Sequence, residues 1–429
     1  MNIIERGAAF LQALQALAGR RAWDWRRCPT CGDTLTRKHG TYPRRPWLLG
    51  GRQAWRIQRH WCHQCRGTYS EQSALLIRGS WYGREVRRCA LDHWHYGGTS
   101  VRRTTALLRA WLGHQERWLL WCPLAAPPAE AARCTLSAST VQRWLNAAGE
   151  QARASVIGQL TGVPTAGHLA TDGLWARLRK GTTRVVLLLT DSGSGVVWPP
   201  VVATGEEAPL QWGRLFHRAQ VAGLATGDLW GVTSDGAKGI AGYLRERLRW
   251  VAHQRCVFHL WRNVSGEVAR QAAQATAGLA KAAGAVVQRR VRQELSAAVR
   301  TVLDAATEAA AWEALAQVAA GARSAKLAAL LRPHVAAAHV CHRPYTRGLV
   351  RVSPEWCWRD FRLGLGHGRN HGTPARLEQA ALRWAIYHNF TPAQERRERK
   401  RHYRSAGRSP LARAGCAPGA VNYLDALAI

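Results

Sequence analysis

Hydrophobic and polar positions change period several times along the chain, and each change marks an element. The opening MNIIERGAAFLQALQALAGR spaces Ala and Leu as an amphipathic helix does, read as a helix within residues 1–24. QAWRIQRHW alternates instead, with Trp55, Ile57, Arg59 and Trp61 on one face of a strand. After residue 83, REVRRCALDHWHYGGTSVRRTTALLRAWL predicts helix, Gly-Gly-Thr-Ser turn, helix, with Thr99 or Ser100 capping the second. WLLWCPLAAPPAEAARC interrupts the pattern, and LSASTVQRWLNAAGE starts a third helix capped by Ser137 or Ser139. Its Val141, Trp144 and Leu145 face inward, and its Thr140, Gln142, Arg143 and Asn146 face out.

From residue 167 the period becomes that of strands. GHLATDGLWARL, RVVLLLTD and VVWPPVVA, separated by the turns RKGTT and SGSG, predict an antiparallel three-stranded meander. A helix over about 207–223, the strand DLWGVTSD, a helix from Ala237 to Trp250 and a strand in HQRCVFHLWRNV follow. The Ala-rich stretch from 266 to 340 is helical throughout, and HGTPARLEQAALRWAIYHNFTP begins a late helix with Thr373 as cap and Pro374 in its first position. These changes divide the chain into an N-terminal helix (1–24), a first module (25–79), a three-helix module (80–150), a sheet domain in two parts (160–265 and 346–392) around a helical insertion (266–345), and a basic tail (393–429).

Composition adds a partner. The 429 residues hold 61 Lys plus Arg against 27 Asp plus Glu, a formal net charge of +34, and this excess runs along the whole chain. Only six of the basic residues are Lys; the planar guanidinium of the rest suits bidentate phosphate contacts. A field of this sign attracts a polyanion, so double-stranded DNA is the expected partner. No apolar run approaches the length of a membrane span, and the charged opening residues speak against a secretion signal, so a cytoplasmic protein is expected.

Eleven cysteines, partly in C-x-x-C pairs, point to metal before disulfides. Cys28 and Cys31 in CPTC, with Cys62 and Cys65 in CHQC, have the spacing of a zinc ribbon holding one structural Zn2+ through four thiolates. His39, His60 and His63 lie nearby, but four cysteines suffice. Beside a ribbon, the three-helix module reads as a helix-turn-helix, and Thr140, Gln142, Arg143 and Asn146 are of the kinds that contact phosphates and base edges.

Three strands, helix, strand, helix, strand is the order of a ribonuclease H-like mixed sheet. The fold class expected is therefore multidomain α+β and α/β, with a helical insertion in that sheet and a zinc ribbon and helix-turn-helix before it. In that order Asp172, on the first strand, and Asp235, ending the fourth, converge at one edge. Carboxylates so placed hold two hard divalent ions, Mg2+ or Mn2+, and Gly236 and Gly239 ease the turn after Asp235. Asp191 sits in a hairpin turn and Asp228 precedes its strand, so both read as local turn residues. Glu378, one turn into the late helix beside Leu377, Ala381 and Trp384, is the third carboxylate, with Glu355 as its substitute.

With these residues on the page, the chain resembles bacterial insertion-sequence transposases of the DDE type, in layout nearest the Mutator-like kind. The resemblance rests on the ribbon, the helix-turn-helix, TDG with Asp172, TSDGAKG with Asp235, CVFH with Cys256 and His259, and the Glu378 helix behind Thr373. It implies Mg2+-dependent phosphodiester hydrolysis and strand transfer at the element's ends. It also implies a structural or DNA-positioning role for Cys256 and His259, and a helical insertion that accounts for the long interval from Asp235 to Glu378. Where relatives carry Thr-Asn-Asn before the glutamate, this chain has Thr373-Pro374-Ala375. Trp312, in the insertion, is a candidate for stacking on an unpaired base. Joining two DNA ends implies a homodimer or larger assembly. The alternative in another class is a catalytically inactive, transposase-derived DNA-binding regulator.

Overall fold

The computed structural model describes residues 26–49, 51–52, 54–71, 75–97, 99–119, 134–178, 181–205, 207–321, 323–346, 349–352, 361–362, 371–392, 407–416 and 422–427. The predicted N-terminal helix, Glu355 and most of the basic tail lie outside them. The chain forms two compact units, Met1–Ala148 with Ile429, and Gly149–Ala428. Among the described residues no helix is long and apolar enough to cross a membrane.

In the first unit, β1 (Thr36–Arg44), β4 (Trp55–Cys62) and β5 (Thr68–Ser70) form an antiparallel sheet in the order β1-β4-β5, beside a small ribbon of β2 (Trp47–Leu48) and β3 (Gly51–Arg52). The expected face of β4 is only partly right. Ile57 is buried, but the next buried positions are His60 and Cys62, while Trp55, Arg59 and Trp61 are half-buried. The two faces of β4 are covered by different neighbours, Ile57 by Leu48 and Leu76 and Cys62 by Cys28 and Tyr69, and its partner β1 carries a bulge in which His39 and Gly40 together oppose Arg59. Gly40 takes the left-handed φ of +78° that this irregularity needs. Two small apolar clusters result, one of Cys28, Cys62 and Tyr69, the other of Leu48, Ile57 and Leu76.

Three helices follow: α1 (Arg84–Gly97), α2 (Val101–Leu119) and α3 (Ala138–Leu160). Of the alternative caps, Ser100 accepts from the Arg103 amide at 3.2 Å and Ser137 from the Thr140 amide at 3.1 Å. Val86, Ala90, Leu91 and Trp94 of α1, Leu108 and Leu112 of α2, and Val141 and Leu145 of α3 are buried, at spacings of three to five residues. Trp144 is half-buried and meets Tyr82 edge to face at 5.4 Å.

The second unit is built on a five-stranded mixed sheet ordered β10-β9-β6-β7-β8. Strands β6 (His168–Arg177), β7 (Thr183–Asp191) and β8 (Val201–Ala203) are the predicted antiparallel meander; β9 (Gly231–Ser234) runs parallel to β6, and β10 (Ala252–Arg255) parallel to β9. Pro199 and Pro200 cannot donate to a ladder, which limits β8 to three residues. Helix α4 (Pro209–Val221) precedes β9, and α5 (Lys238–Arg247) links β9 to β10.

The strand expected in HQRCVFHLWRNV stops at Arg255, and Val257 already begins α6 (Val257–Gln274). That helix runs unbroken across the limit expected at 265/266. With α7 (Lys281–Leu303), α8 (Glu308–Ala320), α9 (Ala325–Leu331) and α10 (Val335–Ala338) it encloses its own apolar core, including Val264, Val268, Leu295, Val299, Leu315 and Leu327. After this helical insertion, α11 (Pro374–Phe390) packs Leu377, Ala381 and Trp384 against Leu174, Ala176 and Leu188 of the sheet. Two single turns, α12 (Pro410–Arg413) and α13 (Tyr423–Ala426), close the described chain.

Candidate active site and metal centre

The parallel pairing of β6 and β9 ends at Ala170↔Thr233. Asp172 lies two residues past that pair on β6, and Asp235 directly follows Ser234, the last residue of β9. Asp172 is 5% exposed; its Oδ1 accepts from the Gly173 amide at 2.8 Å, and its Oδ2 lies 3.6 Å from His259 Nε2. His259 is held there because the Cys256 amide donates to the Ser234 carbonyl at 2.7 Å, fastening the start of α6 to the end of β9. The predicted Cys256–His259 pair thus belongs to the carboxylate site, with His259 touching Asp172.

Asp235 is half-buried, and its Oδ1 accepts from the Ala237 amide at 2.9 Å. Gly236, at φ +75°, turns the chain and donates its amide to Ser234 Oγ at 3.0 Å. A Cβ there would also fall 2.5 Å from the guanidinium of Arg255. Gly239 has another job. A Cβ on it would lie 1.5 Å from the carbonyl oxygen of Glu207, so this glycine admits a neighbouring chain segment.

That segment carries a carboxylate missed in the sequence. The Glu207 side chain fills the space a Cβ on Gly173 would take, with Oε1 only 2.5 Å from that position. Burial, then the charge of Asp235, push its carboxyl up to about 7, against a hydrogen bond from Trp175. Oε2 is buried with no hydrogen-bond partner, an arrangement that costs about 1–3 kcal/mol when nothing else satisfies the atom. Trp175 itself is 56% exposed at the rim. The available signals were the second glutamate of TGEEAP and the glycine of TDG; a glutamate just before a Pro-initiated helix reads locally as a dipole partner.

Glu378 sits where its helix was predicted, with Thr373 accepting from the Arg376 amide at 3.3 Å and Pro374 in the first position. Its carboxylate, however, forms an ion pair with Arg218 of α4, and Arg218 also donates to the Pro200 carbonyl at 2.8 Å, just before β8. The structure therefore sets His259 against Asp172, lets the charge of Asp235 act on Glu207, and ties Glu378 to Arg218. Asp191 is a turn residue: Thr165 Oγ1 and the Ala166 amide donate to its Oδ1 at 2.8 Å, and the amide and hydroxyl of Ser194 to its Oδ2 at 2.7 Å.

In the first unit, the sulfurs of Cys28, Cys31, Cys62 and Cys65 all lie within 4.8 Å of one another, with Cys28–Cys65 and Cys31–Cys62 at 3.6 Å. A tetrahedral ion with Zn–S near 2.3 Å spaces its sulfurs by about 3.8 Å, whereas a disulfide needs about 2 Å. Burial resists ionisation of Cys28, but the amides of Cys31 and Thr30 bring it down to about 6. The Asp33 amide favours the Cys31 thiolate, yet burial and the neighbouring sulfurs push it up to about 12. One thiolate thus opposes the next, and a cation relieves all four. His60 is no ligand: its Nε2 meets Glu71 at 2.9 Å and its ring stacks on Tyr69. Among the described residues no other set of three or more such side chains is so tightly grouped.

The candidate DNA contacts on α3 form two pairs along the helix. Arg143 donates to Thr140 Oγ1 at 3.2 Å, and Gln142 Nε2 to Asn146 Oδ1 at 2.9 Å; Arg143 is exposed and the other three are half-buried. Trp312 is 38% exposed on α8.

Residues 168–335 match the family model described as Transposase, Mutator family. The matched segment runs from the first residue of β6 to the start of α10 and includes Asp172, Glu207, Asp235 and His259. The match bears out the resemblance expected from the sequence: residues 168–335 are similar to transposases of the Mutator family. No curated protein matches it.

Proposed function

We propose that this Mutator-family transposase domain performs metal-dependent hydrolysis of a DNA phosphodiester at the ends of an insertion sequence, followed by transfer of the freed strand to target DNA. The observation that carries the reading is Asp172 on β6 and Asp235 directly after the end of β9, its parallel neighbour, inside the matched segment. The strand order β10-β9-β6-β7-β8, with a helical insertion after the last strand, supports a ribonuclease H-like core of the DDE type.

The donors fit the ions this chemistry needs. The hard carboxylate oxygens of Asp172 and Asp235 suit Mg2+ or Mn2+, and four sulfurs at tetrahedral spacing suit Zn2+. When bound, a pair of divalent ions supplies Lewis acidity at the attacking and leaving oxygens of an in-line displacement. Asp172 and Asp235 hold them, and the turn at Gly236 leaves Asp235 open to an approaching phosphate. His259 keeps the Asp172 carboxylate from swinging. Glu378 is the third carboxylate of the DDE reading, and it joins the pair when its contact with Arg218 opens. The zinc-centred ribbon and the Thr140, Gln142, Arg143 and Asn146 face of α3 hold the DNA, with Arg143 on a phosphate. Two element ends are joined in one reaction, so the working form on DNA is a dimer or larger.

The test is Mg2+-dependent cleavage of DNA carrying the element's ends, by wild type, Asp172→Asn and Asp235→Asn. Cleavage by wild type alone, with end binding kept in all three, is the expected outcome. Wild type that binds the ends and never cuts them sinks the enzyme reading in favour of a transposase-derived regulator.

A further inference from the structure

We propose that a cleft in the first unit, beside the four-cysteine sheet, receives an unpaired nucleotide of DNA, with the base stacked on Trp81 and the flanking phosphates on Arg45, Arg52 and Arg78. The proposal rests on reading the chain as a DNA-binding protein, and it names what this one surface takes from the DNA. Three observations carry it.

First, the cleft has the size and the floor for a base. It encloses about 730 Å³ between the end of β1, the β2–β3 ribbon and the segment before α1, within the roughly 300–1,000 Å³ of pockets that take small ligands. Buried Ile57 and Leu76 line it, and half-buried Tyr42, paired with Ile57 across the β1–β4 ladder, borders them. Such apolar groups give a phosphate nothing to bind, whereas they match the face of a base.

Second, the rim is aromatic and cationic at once. Trp81 lines the cleft yet is 69% exposed, leaving its indole open to solvent. A base stacked there would recover the burial that this ring forgoes. Arg45, Arg52 and Arg78 stand exposed around the same cleft, and among the described residues none of them forms an ion pair. Glu71, the acidic residue of the lining, is engaged by His60 at 2.9 Å. Guanidiniums and an aromatic ring around an apolar floor suit a single strand: the cations follow phosphates, and the ring takes a base face that a paired duplex keeps within its own stack.

Third, the cleft is built without a ligand. Arg44 donates to the Ile77 carbonyl at 3.2 Å and also to the Ser80 carbonyl, and the Trp47 amide donates to the Trp81 carbonyl at 2.7 Å. Ser80 Oγ also accepts from the Tyr82 amide at 3.1 Å. The wall carrying Arg78 and Trp81 is thereby fastened to the wall carrying Arg45, so little backbone has to be ordered on binding.

The experiment compares the full-length, zinc-loaded chain on a blunt duplex and on the same duplex with a short single-stranded thymidine tail. Binding is read by fluorescence anisotropy of labelled DNA, at a salt concentration that weakens contacts to phosphate alone. The tail is expected to tighten binding about fivefold or more, Trp81→Ala to remove that gain, and Trp81→Phe to retain most of it. Trp250→Ala, at an exposed tryptophan of the second unit, is expected to leave the gain whole. Arg78→Gln should lower the slope of log affinity against log salt for the tailed DNA by about 0.7. With iododeoxyuridine in the tail, ultraviolet crosslinking should tag the peptide that contains Trp81. A tail that adds no affinity, a gain that survives Trp81→Ala, or a crosslink confined to other peptides overturns the proposal and leaves the DNA-binding reading in place. If neither DNA is bound, that reading falls with it.

Discussion

Acid should weaken the second unit at a specific histidine, His168, the first residue of β6. Its ring is buried: Nδ1 accepts from the Val350 amide at 3.3 Å, which leaves the proton on Nε2, facing Thr233 Oγ1 at 3.1 Å. Thr233 in turn donates to the Val350 carbonyl at 2.5 Å, so one neutral imidazole joins β6, β9 and the segment at Val350. Burial pushes its pKa from the ordinary 6.5 down to about 4, against the opposing charge of Asp191. Below pH 6.5 the unfolded chain takes up a proton that the folded ring refuses, so stability is whole above 6.5 and is lost as pH falls to about 4. At about 1.4 kcal/mol per pH unit, the loss from this residue approaches about 3.5 kcal/mol.

His168→Asn isolates that share. The Asn oxygen takes over the bond from the Val350 amide and nothing remains to titrate, while His253 and His339, each also pushed to about 4, stay as they are. Urea unfolding followed by tryptophan fluorescence is expected to show the variant less stable than wild type at neutral pH, by about 1–2 kcal/mol for the lost Thr233 contact. That gap should close or reverse by pH 4. Parallel pH profiles for the two proteins would refute the reasoning, as would an imidazole resonance of His168 titrating near 6.5.

Two further outcomes follow from the same geometry. Removing zinc, by chelation or by Cys62→Ser, should unfold β1, β4 and β5, because each apolar cluster there has only three buried members; loss of one zinc per chain without loss of their amide protection would contradict this. Gly239→Ala puts a Cβ against the Glu207 carbonyl and should cost about 2–3 kcal/mol in urea unfolding, whereas Gly242→Ala, whose Cβ would meet Pro209 at 3.4 Å, should be neutral or stabilising; equal effects would show that the close approach is unimportant.

Much of the frame was legible because its signals are local. The strands β6 and β7 and the turns at Gly181 and Gly195 survive in the structure, as do the caps at Ser100, Ser137 and Thr373, since each depends on neighbours within a few residues. The four cysteines were legible for the same reason: a two-residue gap in a turn sets the thiolate geometry by itself. Errors entered where a distant partner decides. Ile57 and Cys62 of β4 are buried on opposite faces because Leu48 and Leu76 cover one and Cys28 and Tyr69 the other, and the strand expected in HQRCVFHLWRNV stops at Arg255, where the helix from Val257 takes over.

The carboxylates follow the same division. Asp235 announces itself through a sharp strand-to-helix turn, and Asp172 through its place on the strand beside it; both readings need only the order of elements. Glu378 satisfies every local criterion, with cap, proline and inward stripe in place, yet none of these reports the direction of its carboxylate, and Arg218 from another helix decides that. Glu207 fails every local criterion, since a glutamate before a helix is ordinarily a dipole partner. What distinguishes it is the absence of two side chains, at Gly173 and Gly239, on elements that meet it only in three dimensions. A glycine directly after a candidate catalytic aspartate therefore asks what occupies the vacated space, and here the occupant is another carboxylate.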